Sequence, residues 1–344
     1  MTSDSRIDRI LRRWLVATAI SVVATIAIGG ATRLTESGLS ITEWRPVTGV
    51  IPPMNAAAWQ EAFDQYRLIP EAQTVHAGIT LAQFKDLYWW EWAHRLSGRV
   101  VGLVVVIPFL LFWRRGWIRP SLFVRLLSLP LLVGAQGVLG WYMVRSGLSE
   151  RTSVSPYRLV AHLSLALLIF GIAVRTAAAL GRRRGEGSLR APRAVRTTVV
   201  LLTAAVVVTM MSGGFVAGLD AGRIFNEFPL MGGKLVPDGY GAVAGFRNWF
   251  ENPIAAQFNH RVLALLVALA TWGAWWMAER RWQAHLRGWM RLAAIVALIQ
   301  VSLGITTLLL AAPVGIAMAH QLGAVALLAV MLRAGVEATD TRIQ

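Results

Sequence analysis

The chain of 344 residues is 56% hydrophobic and has a mean hydropathy of +0.54. Only 15% of its residues are charged, against about 25% in soluble domains, which excludes an ordinary soluble protein and favours one polytopic membrane unit. Cysteine is absent, which excludes disulfides, thiolate-bound zinc, iron–sulfur clusters and a cysteine nucleophile, so the six histidines are the main candidates for metal chemistry.

Eight apolar stretches are long enough to cross a membrane, which takes about 20 residues. Every backbone polar group must be satisfied inside lipid, and the stretches lack the alternation of barrel strands, so we predict helices. The fold class is therefore an all-α polytopic membrane protein. A tight hairpin at residues 311–313 must separate the last two spans. The predicted spans are 14–33, 88–113, 121–143, 157–180, 196–218, 255–278, 289–311 and 314–335.

The first apolar stretch follows four arginines and is longer than the roughly 7 to 15 apolar residues of a cleavable signal core, so we predict an uncleaved first helix. Alternating the loops between two sides places 21 basic and 6 acidic residues on the N-terminal side, and 13 and 12 on the other. This asymmetry predicts that both termini are cytoplasmic, and it makes a nucleic-acid partner unnecessary. The lack of an Arg/Ser-rich presequence favours a bacterial inner membrane.

Two long connections are predicted to lie on the outer side, at residues 34–87 and 219–254. In the first, Asn55 precedes an amphipathic run, and Thr80 with Gln83 forms a capping box that leads into the second span. The second is rich in Gly, Asn and Pro and is expected to be an ordered loop with little helix.

The two halves of the chain repeat one another. Four spans return the chain to its starting side, so both halves run in the same direction, which predicts two tandem, pseudo-symmetric four-helix bundles. The predicted units are 1–180, a basic cytoplasmic linker at 181–195, and 196–344. The matched positions are Gly29-Gly30 with Gly213-Gly214, His94-Arg95 with His260-Arg261, Gln136 and Gly140 with Gln300 and Gly304, and His162 with His320.

Four of the histidines occupy matched positions. Each is predicted within the first two turns of an even-numbered span, which places all four near the outer face. A lone membrane histidine is often bonded to a carbonyl, but four in register indicate function. Facing pairs, His94 with His162 and His260 with His320, can each hold a haem iron from both sides, whereas zinc or di-iron centres lack ligands here. The two other histidines are expected to be solvated loop residues: His76 and His285.

The two predicted sites are not equivalent. Glu91 lies one helical turn before His94, whereas the matched position of the second half is Gln257. A carboxylate can perform acid–base or cation-stabilising chemistry, although it could also simply pair with Arg95 or Arg33. The first half is therefore expected to be reactive and the second to be a fixed cofactor site. Basic residues that could anchor haem propionates, or merely snorkel to the interface, are Arg33, Arg95, Arg99 and Arg261.

Several long motifs closely resemble haem A synthase, in the cysteine-free branch shared by mitochondria and related bacteria. The resemblance covers about residues 14–335. The motifs are GATRLTESGLS (30–40), GAQGVLGWYMV (134–144), YRLVAH (157–162), GFVAGLDAG (214–222), FNHR (258–261) and AHQLG (319–323).

The resemblance implies oxidation of a methyl group of haem O to the formyl group of haem A, the haem of aa3-type cytochrome c oxidase. It implies that His94 and His162 bind the substrate haem O, that His260 and His320 bind a haem b cofactor, and that Glu91 is the family's essential carboxylate. Some members carry a cysteine pair in the first outer loop, which this chain lacks.

Two other classes of function stay open. One is a dihaem b-type cytochrome that only transfers electrons, and the other is a haem-delivery or assembly protein without chemistry. The presence of Glu91 in the first half, where the second half has Gln257, argues against both classes of function. The expected partners are haem O, haem O synthase, an electron donor and membrane lipid, with the haem sites near the periplasmic face.

Overall fold

The computed structural model describes residues 3–148, 151–181 and 191–339. Within these residues the chain is helical. The described part has one isolated β-bridge, between Met231 and Lys234, and contains no β-strand. Eight of the helices are long and apolar enough to cross a membrane, which confirms the predicted fold class. They are α1 (Ser3–Leu34), α4 (Leu81–Arg114), α5 (Pro120–Arg145), α6 (Pro156–Leu180), α7 (Arg193–Gly218), α9 (Pro253–Arg281), α10 (Ala284–Leu309) and α11 (Val314–Ala338).

Three short helices lie in the outer connections: α2 (Ala56–Tyr66), α3 (Pro70–Thr74) and α8 (Asn248–Glu251). The predicted start signals are confirmed. The Asn55 side chain accepts a hydrogen bond from the backbone N–H of Ala58 at 2.8 Å, and Thr80 with Gln83 forms the capping box of α4. Such caps satisfy backbone groups that have no partner within the helix.

Helix α4 begins at Leu81, seven residues before the predicted span. Its amphipathic first turns pack Phe84 and Tyr88 against α2, with Trp59 and Phe84 ring centroids 6.5 Å apart. His94 consequently lies in about the fourth turn, so its predicted place in the first two turns is wrong. The other three matched histidines lie about two turns from their helix starts, as predicted.

The hairpin between α10 and α11 is as tight as predicted. Ala311 and Ala312 have φ of 57° and 60°, and the N–H of Ala312 donates to the carbonyl of Thr307 at 2.7 Å. This left-handed turn caps the last carbonyls of α10, and Pro313 then starts α11.

The spanning helices pack in two groups. Helices α1, α4, α5 and α6 contact one another in a closed ring, as do α7, α9, α10 and α11. The two groups meet where α6 touches α7 and α11 and where α1 touches α11. The predicted symmetry of the halves and cytoplasmic termini stay predictions, and residues 182–190 of the predicted linker lie outside the described residues.

Glycines allow the two groups of helices to pack closely along the seam, which is the contact surface between them. A Cβ at Gly30 of α1 would collide with the side chain of Gln321 on α11, and one at the matched Gly214 of α7 would lie 3.0 Å from Val160 of α6. Gln321 donates a hydrogen bond to the Ile26 carbonyl of α1 at 2.8 Å.

The outer ends of the helices, opposite the N-terminus, carry unequal structures. Residues 35–80, the outer cap, fold α2 and α3 over the first group around a buried cluster that includes Leu39, Phe63, Tyr66 and Ile69. The loop 219–252 contains only the single turn α8 and two short 3-10 turns, and buried Asn252 donates to the carbonyls of Gly239 and Tyr240 at 2.8 and 3.0 Å. It is thus the ordered, helix-poor loop that the composition predicts.

Candidate functional site

Each of the four matched histidines lies against a glycine of the preceding spanning helix. In the first half, a Cβ at Gly29 would be 2.9 Å from Nε2 of His94, and one at Gly140 would be 3.1 Å from Cε1 of His162. Distances this short cannot be accommodated by a real side chain without displacement of the ring. The imidazoles therefore occupy the space that the missing side chains leave.

The second half repeats this arrangement. A Cβ at Gly213 would lie 3.0 Å from Cε1 of His260, and one at Gly304 would lie 2.9 Å from Cε1 of His320. These glycines are visible in the sequence as markers of the repeat, but their contact with the histidines is not. The signal that could have revealed it is that all four recur together with the histidines.

The structure brings the histidines together in the predicted pairs. The imidazoles of His94 and His162 are close enough to interact electrostatically, and so are those of His260 and His320. No group of three or more His, Cys, Asp or Glu side chains within the described ranges could hold a bare metal ion. Two histidines suffice for a haem iron, because the porphyrin supplies the other ligands, and the chemistry of each pair therefore fits haem.

The two pairs differ in how their rings are held. In the second half, Nδ1 of His260 lies 2.7 Å from the Ser212 hydroxyl, and Nδ1 of His320 lies 3.1 Å from Nε2 of Gln300. Such contacts fix the orientation of a metal-ligating ring and leave its Nε2 free.

In the first half the matched contacts are lost. Gln136, which matches Gln300, donates to the backbone carbonyl of His162 at 3.0 Å, and Nδ1 of His162 is buried with no hydrogen-bond partner among the described residues. The position that matches Ser212 is Ile28, which has no polar side chain. The rings of the first pair are therefore held less firmly.

Glu91 is 2% exposed, and both of its oxygens accept hydrogen bonds. Oε1 accepts from Nε and Nη2 of Arg95 at 3.0 and 2.6 Å. Oε2 accepts from the Ser40 hydroxyl at 2.8 Å and from the backbone N–H of Ile41 at 2.7 Å. The predicted pairing with Arg95 is thus present, whereas Arg33 pairs with Asp220 at 2.6 Å. The donors of the outer cap lie some 50 residues away in sequence, so no sequence signal identified them.

The predicted anchoring arginines hold the outer connections. Arg95 donates to the carbonyls of Ile41 and Glu43, and Arg261 donates to those of Phe225 and Glu227. Three of these arginines each have one buried nitrogen that makes no hydrogen bond within the described residues. These atoms are Nε of Arg33, Nη1 of Arg99 and Nε of Arg261.

The remaining two histidines differ from each other. His285 is exposed, as predicted, although it lies in the first turn of α10. His76 lies in a turn after α3, as predicted for a loop residue, but it is only partly solvated: its side chain is 18% exposed, and its Nδ1 lies 2.6 Å from the hydroxyl of the fully buried Tyr66. The solvated part of the prediction failed because the fold of the outer cap, not local sequence, covers most of this ring.

Comparison with known proteins assigns the chain to a protein family. Residues 12–332 match the COX15-CtaA family model, which is described as cytochrome oxidase assembly protein. The chain belongs to this family. Relatives named heme A synthase include a protein of Maricaulis maris, 44% identical over 95% of each chain, and one of Paracoccus denitrificans, 47% identical over 94% of this chain and 86% of the relative. A third, of Parvibaculum lavamentivorans, is 45% identical over 90% of this chain and 89% of its own.

Proposed function

We propose that this protein is a haem A synthase that oxidises a methyl group of haem O to the formyl group of haem A for cytochrome c oxidase. Membership of a family of cytochrome oxidase assembly proteins and the heme A synthase names of the relatives support this reaction. The observation that carries it is the inequality of two otherwise matched histidine sites. Only the first has a buried carboxylate, Glu91, where the second has Gln257.

The second pair, His260 and His320, would hold a haem b cofactor. When bound, this haem supplies one-electron transfer to the first site. Ser212 and Gln300 orient the two rings and keep their Nε2 atoms available. Arg261, with one unpartnered buried nitrogen, is placed to anchor a propionate. A resident cofactor benefits from such fixed ligands.

The first pair, His94 and His162, would hold the substrate haem O. A substrate has to enter and the product has to leave, which suits an imidazole without a fixed partner at Nδ1, as in His162. Arg33, whose Nε is unpartnered, is the corresponding anion anchor, and Arg95 instead keeps Glu91 in place.

Glu91 would act through its negative charge. It lies one turn from His94 on α4, in a buried site where a charge acts more strongly than in water. The four donors hold the carboxylate in one orientation, so that it can stabilise positive charge that develops at the oxidised carbon without rearranging.

The setting proposed for this reaction is a bacterial inner membrane, with both haem sites near the periplasmic face. The eight apolar helices support a multi-pass protein. Haem O carries a long apolar tail, so we propose that it enters from the lipid or from haem O synthase, and that a membrane or soluble donor supplies electrons.

The decisive test is haem extraction from purified protein, with each haem identified by chromatography and mass spectrometry. The wild type should contain haem B together with haem O or haem A, and His260→Ala should lose haem B selectively. His285→Ala, which changes an exposed imidazole, is the matched control and should keep both. Two equivalents of haem B without modified haem, although haem O is available, would contradict the proposal and favour an electron-transfer cytochrome.

A further inference from the structure

The outer cap contains a buried acid that the proposed reaction does not use. Glu71, in the first turn of α3, is 5% exposed, and its Oε2 makes no hydrogen bond within the described part of the chain. Burial, together with the negative charges of Glu91 and Glu36, raises the pKa of Glu71 to about 8, although the positive charge of Arg33 opposes this shift. This carboxyl group therefore exchanges its proton close to physiological pH.

A chain of exchangeable groups connects this acid to the outer surface. The carboxyl group of Glu71 lies beside the hydroxyl of Tyr66, whose pKa is raised by burial and by the neighbouring Glu71. The same hydroxyl lies 2.6 Å from Nδ1 of His76. On the other side of the ring, Nε2 of His76 lies 3.8 Å from Oε2 of Glu36, which is 32% exposed and pairs with Arg223 at 3.3 Å.

Glu91 is poorly suited to carry protons. Both of its oxygens already accept hydrogen bonds, from Arg95, Ser40 and Ile41. A proton that arrived there would have to displace one of these donors. Glu71 is near enough for the charge of Glu91 to act on it, and it has an oxygen to spare.

We propose that Glu71, Tyr66 and His76 form a proton path between the first histidine site and the outer surface. The proton of Glu71 moves to the Tyr66 hydroxyl as that hydroxyl passes its own proton to Nδ1 of His76, and Nε2 of His76 releases a proton to Glu36 or water. Glu71 then regains a proton from the site, so the net result is the movement of one proton from the site to the outer surface, and no oxidant or reductant is needed.

This role rests on the proposed function, because breaking C–H bonds of a methyl group obliges protons to enter or leave the site. The path is confined to the half that carries the reactive carboxylate. In the second half, the loop between α7 and α9 holds the one-turn α8 and two short 3-10 turns in place of α2 and α3.

The first experiment is an infrared pH titration of the purified protein in lipid nanodiscs, without added haem O. We expect the band of a protonated carboxyl group that disappears around pH 8, in line with the raised pKa of Glu71. Glu71→Gln should remove this band, and Glu61→Gln, which changes an exposed acid on the neighbouring α2, should retain it. A band that persists in Glu71→Gln would overturn the proposal.

The second experiment separates a proton path from a structural role. Tyr66→Phe and His76→Gln should retain the carboxyl band but slow its hydrogen–deuterium exchange, and unchanged exchange in both would overturn the path. With haem O supplied, Glu71→Gln should lower the rate of haem A formation about 100-fold, and should lose a limb near pH 8 in the wild-type rate profile. A wild type that shows the band but forms no haem A would instead refute the proposed function alone.

Discussion

The two halves of the molecule use one scaffold for two different sites. Arg95 and Arg261 occupy matched positions, and the Nη2 of each donates to a matched carbonyl, that of Ile41 at 2.6 Å and that of Phe225 at 2.7 Å. The residue one turn earlier then differs. Glu91 accepts a hydrogen bond from the backbone N–H of Ile41, whereas the amide of Gln257 donates to the carbonyl of Phe225 at 3.1 Å.

This comparison shows how few contacts distinguish the two matched sites, to which we assign different chemistry. Exchange of a carboxylate for an amide reverses the direction of one hydrogen bond and removes one buried negative charge, while the clamp of arginine on loop carbonyls remains. The ring contacts change in the opposite sense, because Ser212 holds His260 where the first half has Ile28. The first half thus has an additional buried negative charge, and the second half has histidine rings that are held more firmly.

Glu91→Gln removes the main difference between the two sites and should have the largest effect on haem A formation. The substitution gives the first half the amide of the second, and loss of the oriented charge should lower haem A formation by about 100- to 1000-fold. Haem content should stay at the wild-type level, because no histidine is altered. Chromatography of extracted haems measures both quantities. Unchanged haem A output would remove Glu91 from the mechanism.

Ser212→Ala should have a smaller effect, confined to the second half. Loss of the hydroxyl beside Nδ1 of His260 should weaken haem b binding by about 10-fold, the lower end of the range for a residue that orients a metal ligand. Titration of the apoprotein with haem, followed by absorbance, gives the affinity. Ser128→Ala, which removes an exposed hydroxyl that bonds within α5, is the control, and an equal loss there would contradict the role of Ser212.

The smallest effect is expected at the link between the halves. Arg33 and Asp220 form an ion pair at 2.6 Å, with the aspartate side chain 56% exposed. A double-mutant cycle with Arg33→Ala and Asp220→Ala should give a coupling free energy of about 0.2–1 kcal/mol, as for other exposed pairs. Unfolding in mixed detergent measures it. A coupling of several kcal/mol would mean that this pair, rather than helix packing, holds the halves together.

Much of the fold could be predicted from the sequence, because spans, caps and the tight hairpin depend on local patterns. The length of the apolar stretches located all eight helices, and Thr80 with Gln83 marked the start of α4 before the apolar span. The partial burial of His76 and the two donors that the outer cap supplies to Glu91, Ser40 and Ile41, could not be predicted. They depend on how the outer cap folds back onto α4, which joins residues that are 10 to 54 positions apart.

The same limit applies to the candidate site. The repeat predicted the candidate histidines, their pairing and the contrast of Glu91 with Gln257, since these are properties of aligned positions. The different anchoring of the rings by Ser212 and Gln300 needed the structure, because a matched glutamine in the first half, Gln136, turns to a backbone carbonyl instead.

The paired glycines of α1 and α7 have a consequence for how the protein tolerates change. Neighbouring residues of a helix point about 100° apart, so Gly29 meets His94 of its own half while Gly30 meets Gln321 of the other. Gly213 and Gly214 divide the same two tasks between His260 and Val160. In each doublet, a mutation at one glycine would displace a histidine, and a mutation at the next glycine would disturb the contact between the two groups of helices. Improvement of one half by mutation at these positions is therefore constrained by the other, and the two halves have to evolve as a unit.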